Sequence, residues 1–480
     1  MSPASLRNLV LSGLLVGTTP LHAAPLPAAK PMPDLSVTLA PQAGAKAGIA
    51  GVDVSLRFGG ITAKAGEPLL RLPLVASNVD TVATVLSNLH VRDARGELRL
   101  TASNVDLPAA AMRDAEGGGP TREWRADRAT SGPLTVTYSV PAEATLPPRG
   151  PAPPFGFSSD GGGVSAAGHV FLLLPPGGQS YRTTYGWDLS HAPKGSRGVS
   201  SLGEGRVTAA TPLDGAQIRM SYFMAGRIGV WPAHVPPSGF FGAWQGAPAF
   251  DAGALLAWTG TLYNHYAHLF GQAKAPPYGV FLRYNPINAG GGVGLYHSFV
   301  TTFGKGMGSD VNRLRLTLAH EMFHTFQPFI THPSGLESSW FGEGLAVFYQ
   351  ARLPMRYGMI TPEAYLADIN WTAARYYTSA MGNAPNSEVP RRFWADTRVR
   401  TLPYDRGMLY FAALDDRLRK TSAGKVSLDT LVMAMLALEH QGKATSNADW
   451  EALLTQHLGA GAVEDFHAFL AGATPLPASD

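Results

Sequence analysis

Two histidines four residues apart, His320 and His324 in the stretch HEMFHTFQPF (320 to 329), constrain this chain more than any other feature. Residues at that spacing stack on one face of a helix, so both imidazoles can reach a single metal ion only if the segment is helical. Glu321 then flanks the site. A further carboxylate, Glu343 in SSWFGEGLAVFY (338 to 349), follows His324 after 18 intervening residues. The linking PFITHPSGLESS contains Pro and Gly, which lets the chain turn and lay a second helix against the first. A zinc ion that does chemistry takes three protein ligands and keeps one position for water. His320, His324 and Glu343 supply three. The plainer alternative is a pair of buried histidines bonded to backbone, with Glu343 a helix-surface acid. Against it, the neighbours Trp340, Phe341, Leu345 and Val347 predict burial for Glu343, where an unpaired carboxylate is costly.

The chain has no cysteine, so His, Asp and Glu are its only plausible metal ligands, and disulfides and thiolate nucleophiles are excluded. Its 480 residues exceed what one core usually supports, and two or more domains are expected. Thirty-eight basic against 35 acidic residues leave a net charge of +3 without an obvious cluster, which points to neither nucleic acid nor an anionic membrane as partner.

At the N-terminus, Arg7 precedes the apolar run LVLSGLLVG (9 to 17) and the small-residue stretch TTPLHAA (18 to 24). That layout reads as a secretory signal peptide over 1–24; the run is too short to span a bilayer. The expectation is an exported protein, periplasmic or secreted, without stable membrane insertion.

From 25 to 245 the patterning has a period of two. In VDVSLRF (52 to 58), Val52, Val54, Leu56 and Phe58 share one face, and LTVTYSV (134 to 140) repeats the alternation. HVFLLLP (169 to 175) and AQIRMSYFM (216 to 224) read as further strands, HVPPSGFFGAWQGAP (234 to 248) as a connector. ASNVD occurs at 76 to 80 and at 102 to 106, and two copies are not a repeat architecture. Over 246–480 helices dominate: 251 to 271, a segment capped by Ser309 or Asp310 that carries the histidines, and apolar stripes at 430 to 440 and 450 to 459. YGVFLRYNP (278 to 286) and LYHSFVTTF (295 to 303) are strands between them.

HExxH, 18 residues, then Glu within WFGEG resembles the gluzincin metallopeptidases of the aminopeptidase N superfamily. The continuation WFGEGLAVFYQARLPMRYGMITPEAYLADI is most similar to the glycyl aminopeptidase family. The resemblance covers roughly 250 to 470, and the N-terminal half in order of domains only. It implies an α+β multidomain fold, a β-rich N-terminal domain followed by a thermolysin-like zinc-peptidase domain with a helical C-terminal lobe. It also implies a role for Tyr404, in PYDRGMLYFAALD (403 to 415), as the hydrogen-bond donor to the oxyanion, with Gly407 in register. Relatives place a glutamate that binds the substrate's α-amino group on a strand ahead of the first histidine. Here GLYH, beginning at Gly294, puts Tyr296 at that position. A phenol offers an ammonium only a neutral acceptor, weaker than a carboxylate.

The expected activity is zinc-dependent hydrolysis of peptide or protein substrates, with Glu321 as general base, Tyr404 as oxyanion donor, and the strand through Gly294 and Tyr296 holding the peptide by backbone pairing. An aminopeptidase is the first expectation. An endopeptidase with altered terminus recognition and a non-catalytic zinc-containing peptide-binding protein are the alternatives.

Overall fold

A computed structural model describes residues 32–45, 48–108, 119–142, 152–287 and 289–476. The expected signal peptide lies outside the described residues. The chain is α+β, with β-sheets through its first 230 residues and helices through most of the remainder.

The largest sheet has seven strands, with Asp34–Ala43, Ile49–Phe58 and Leu134–Pro141 adjacent at its centre. Its register follows the period-two pattern: Phe58 is opposite both Leu35 and Leu134, Val54 opposite Leu39 and Tyr138. A one-residue slip would turn this apolar row to solvent, so burial of one face fixes the pairing. A three-stranded sheet (Pro68–Pro73, Gly119–Ala126, Leu100–Leu107) and a five-stranded sheet centred on Tyr222–Gly226 complete this part. The two ASNVD copies differ in structure. The first makes the tight hairpin Val75–Ala76 to Val79–Asp80, and the second lies inside the strand Leu100–Leu107.

A second five-stranded sheet adjoins the helices, in the order Gly229–Trp231, Phe240–Trp244, Tyr278–Tyr284, Ser298–Phe303, Gly292–Leu295. Both of its faces are covered. Phe241, Ala243, Phe281 and Val300 join the core of the β-rich part, whereas Phe240, Val280, Leu282 and Phe299 join the core of the helical part. This is why YGVFLRY is an almost unbroken apolar run, as strands buried on both faces are. Three of its adjacent strands are parallel; the edge strand Gly292–Leu295 is antiparallel to Ser298–Phe303.

Three sequence readings need correction. HVFLLLP is not a strand: a short 3-10 turn, Gly168–Val170, leads into a buried irregular run. Tyr138 satisfies part of its backbone, donating its hydroxyl to the Phe171 carbonyl at 2.7 Å and accepting from Leu173 N at 3.3 Å. AQIRMSYFM divides into a helical turn, Gly215–Arg219, and the strand Tyr222–Gly226. The turn is opened by a capping box in which Asp214 accepts from Gln217 N and Gln217 accepts from Asp214 N. The stretch 234–248 holds the strand Phe240–Trp244, which lies between two partners.

Candidate metal centre

The histidine helix, Val311–Phe323, begins where Asp310 accepts hydrogen bonds from Asn312 N and Arg313 N. Leu314, Leu318 and Met322 recur at four-residue spacing and are buried, which fixes the helix's rotation about its axis. His320 lies on an adjacent face, and His324 caps the helix with αR backbone angles, so the two rings keep the helical relation. Beyond it the chain is pinned before it returns: Thr331 N and His332 N donate to the Thr445 carbonyl, and Phe329 N donates to Glu439 Oε1 at 2.6 Å. The glutamate helix, Ser339–Arg356, then packs back, with Tyr349 stacked on Phe323 at 4.8 Å between centroids.

Three donor atoms converge. His320 Nε2 is 3.1 Å from Glu343 Oε2, His324 Nε2 is 3.2 Å from His320 Nε2, and His324 Nε2 is 3.5 Å from Glu343 Oε2. A tetrahedral zinc ion with bonds of about 2.0–2.1 Å requires ligand atoms about 3.3–3.4 Å apart. The near-equilateral triangle fits that requirement, and two histidines with one carboxylate are a donor set zinc accepts. Among the described residues this is the only cluster of three or more His, Cys, Asp or Glu placed to hold an ion. Burial pushes the Glu343 carboxyl up, but hydrogen bonds and charge from His320 and His324 outweigh it and hold the group below the usual range.

Each imidazole also meets a glutamine that sequence reasoning missed. Gln350 lines the same cavity as His320 and donates its Nε2 to both Asp368 oxygens, at 3.2 and 3.0 Å. Gln327, which is buried, has its amide 2.8 Å from His324 Nδ1. One signal was available: Gln350 is seven residues after Glu343, two turns on and the same face of one helix. Nothing marked Gln327, which lies past the end of the histidine helix.

Glu321 follows the first histidine, and burial raises its carboxyl while the two imidazoles pull the other way. Tyr404 lies in the first turn of the helix Leu402–Thr421, its ring stacked over His320 at 5.9 Å and 18°. Burial holds its phenol far above the ordinary tyrosine value, with the Glu343 and Glu321 charges adding to the effect, so it stays protonated and able to donate.

The edge strand Gly292–Leu295 brings Gly294 to the site: a Cβ there would lie 4.0 Å from Glu321 Oε2. Tyr296 is in the hairpin turn that follows, where His297 adopts φ 45°. Its side chain packs against the core of the β-rich part, where burial raises the phenol and Thr211 acts in the opposite direction. A cavity of about 270 Å3 is bordered by His320, Glu321 and Tyr404 together with Asp368, Trp371 and Arg375.

Compared by sequence, the chain matches no protein-family model and no curated protein. Compared by structure, it is similar to an aminopeptidase N family protein from Idiomarina loihiensis, with 17% identity, 93% of this chain and 77% of that one covered, and a TM-score of 0.65. It is also similar to an M1 zinc metallopeptidase from Deinococcus radiodurans, at 17% identity, with 93% and 96% covered and a TM-score of 0.52. A mutant of the Deinococcus enzyme bound to a Tyr-Ser-Ala substrate matches at 15% identity, the same coverage and a TM-score of 0.51. At such identities the likeness is one of fold, and the chain is folded as the aminopeptidase N family proteins are.

Proposed function

We propose that this chain is a zinc-dependent peptidase that hydrolyses peptide bonds at the centre formed by His320, His324 and Glu343. The observation that carries this reading is the triangle of donor atoms with edges of 3.1, 3.2 and 3.5 Å, bordered by the half-buried Glu321 carboxylate and a protonated phenol. A zinc ion supplies Lewis acidity when bound, lowering the pKa of a water to about 7 and polarising a carbonyl oxygen.

The chain's own residues do the rest. Glu321 accepts the water's proton on its carboxylate and later delivers it to the leaving amine nitrogen. Tyr404 donates its hydroxyl to the scissile carbonyl oxygen as negative charge gathers there. The edge strand through Gly294 offers unpaired backbone groups to an extended peptide, and the absence of a Cβ at Gly294 leaves room for it beside Glu321. The cavity by Trp371 receives a side chain next to the scissile bond. Export, read from residues 1–24, places this activity in the periplasm or outside the cell; among the described residues no helix is long and apolar enough to cross a membrane.

An aminopeptidase is the first form of this reading. One feature favours a second form, an endopeptidase: Tyr296 takes the position at which relatives carry the amine-binding glutamate, and a phenol offers an ammonium only a neutral acceptor. Replacing Glu321 by Gln tests the reading as a whole, with one zinc per chain retained and hydrolysis of a broad peptide panel lost. Retained hydrolysis assigns the base elsewhere. A wild-type protein that binds zinc and peptides but turns none over is a binding protein. Comparing free with N-acetylated peptides separates the two peptidase forms, because acetylation abolishes turnover only where the free amine is read.

A further inference from the structure

We propose that two glutamines, Gln350 and Gln327, position the imidazoles of His320 and His324, each accepting the N–H of the ring nitrogen that faces away from the donor cluster. The proposal rests on reading those histidines as metal ligands. An imidazole that gives the lone pair of Nε2 to an ion must carry its proton on Nδ1, and whatever accepts that proton fixes both tautomer and ring plane.

At His320 the direction of the chain of bonds is set from its far end. Asp368 is a carboxylate and can only accept, so the two contacts of 3.2 and 3.0 Å commit the Gln350 amide nitrogen to it. The amide cannot be turned round without facing oxygen to oxygen. Gln350 and His320 line the same cavity, and what Gln350 has left to offer that ring is its amide oxygen, an acceptor; since Nε2 faces Glu343 and His324, the nitrogen left to it is Nδ1. Asp368 thus acts on the ring through Gln350, on a helix that also carries Glu343.

At His324 the same conclusion comes from an orphan. With its amide nitrogen 2.8 Å from His324 Nδ1, Gln327 leaves its own buried Oε1 without a partner. Amide oxygen and nitrogen have nearly the same shape, and their assignment follows the hydrogen-bond network. Exchanging them gives the oxygen a donor, Nδ1–H, and frees the lone pair of Nε2 to face the cluster. Both acceptors are neutral amides. They orient the rings without adding negative charge, so Glu343 alone carries charge within the donor set.

The test is zinc affinity, measured by competition with a chromophoric chelator on the full chain, with circular dichroism of the metal-free proteins as the control for folding. Gln350→Leu and Gln327→Leu should each weaken zinc binding by about 10- to 100-fold while leaving the metal-free spectrum unchanged. The paired change Gln350→Glu with Asp368→Asn exchanges charge and amide between the two positions: the new carboxylate accepts from His320, and the new amide donates to it. It should restore affinity to the wild-type level or beyond, a rescue that a merely space-filling role does not give. Wild-type affinity in both leucine variants overturns the proposal, as does a paired variant no tighter than Gln350→Leu. If either leucine variant fails to fold, the other and the paired variant decide. A wild-type chain that binds no zinc overturns the ligand reading itself, a result distinct from zinc binding that is indifferent to the glutamines.

Discussion

Gly344 and Gly407 touch backbone to backbone. A Cβ on Gly344 would lie 2.7 Å from Gly407 Cα, and one on Gly407 would lie 2.6 Å from the Trp340 carbonyl oxygen and 2.8 Å from Gly344 Cα. Neither helix has room for a side chain at the crossing. Because Gly344 follows Glu343 and Gly407 is three residues past Tyr404, this contact sets how closely the phenol approaches the carboxylate. Gly407→Ala is expected to force the helices apart, lowering stability by about 1–3 kcal/mol, the usual cost of overpacking. It should also lower kcat with zinc still bound. Urea denaturation together with steady-state kinetics checks both, and an unchanged urea midpoint would show that the crossing yields without strain.

Tyr404→Phe removes the donor and leaves the ring stacked on His320. The expected loss is on the order of a hundredfold in kcat, the typical effect of deleting one oxyanion donor, with KM and zinc content little changed. A variant with wild-type kcat would make Tyr404 a packing residue.

The centre was legible in sequence because its signals are local. The four-residue histidine spacing, the Asp310 cap and the apolar setting of Glu343 each follow from one helix at a time. Tyr404 was reached only through the family resemblance, since 60 residues separate it from Glu343. The glutamines were out of reach for a related reason: a neutral amide has no preferred spacing from a ligand, and Asp368 comes from yet another helix, Pro362–Tyr377. Among the strands, alternation found those with one buried face. It failed at HVFLLLP, where a short apolar run has the same composition whether it is paired into a sheet or threaded through a core, and long-range contacts such as that with Tyr138 decide.

Removing the metal should loosen the helical part as well as stop turnover, because the ligands tie the histidine helix to the glutamate helix. With free zinc about 100-fold above its dissociation constant, binding stabilises the native state by about 2.7 kcal/mol. Chelation is therefore expected to lower Tm and abolish hydrolysis, and added zinc to restore both. Glu343→Gln should show the low Tm with or without zinc. If chelation stops hydrolysis without moving Tm, the catalytic ion is held somewhere other than between these helices.

Acid sensitivity should reside partly in the β-rich part, at Asp93. Its side chain is fully covered, and its oxygens accept from Arg128 Nη1 at 2.7 Å and Nη2 at 2.9 Å, from Arg95 N and from Ser131 N. The Arg128 hydrogen bonds hold the carboxyl well below its ordinary value of 3.8, against the opposing effect of burial, and the two backbone donors add to the depression. A carboxyl depressed in the folded state stabilises the protein above its unfolded pKa, and that contribution is lost as pH falls through the folded one. Metal-free wild type should therefore lose more stability between pH 5 and about pH 2 than Asp93→Asn, which starts less stable at neutral pH but has no carboxyl to protonate there. Urea midpoints of the two proteins across that range supply the comparison. Parallel decline of both would mean that Arg128 gains as little from the charged carboxylate as from a neutral amide.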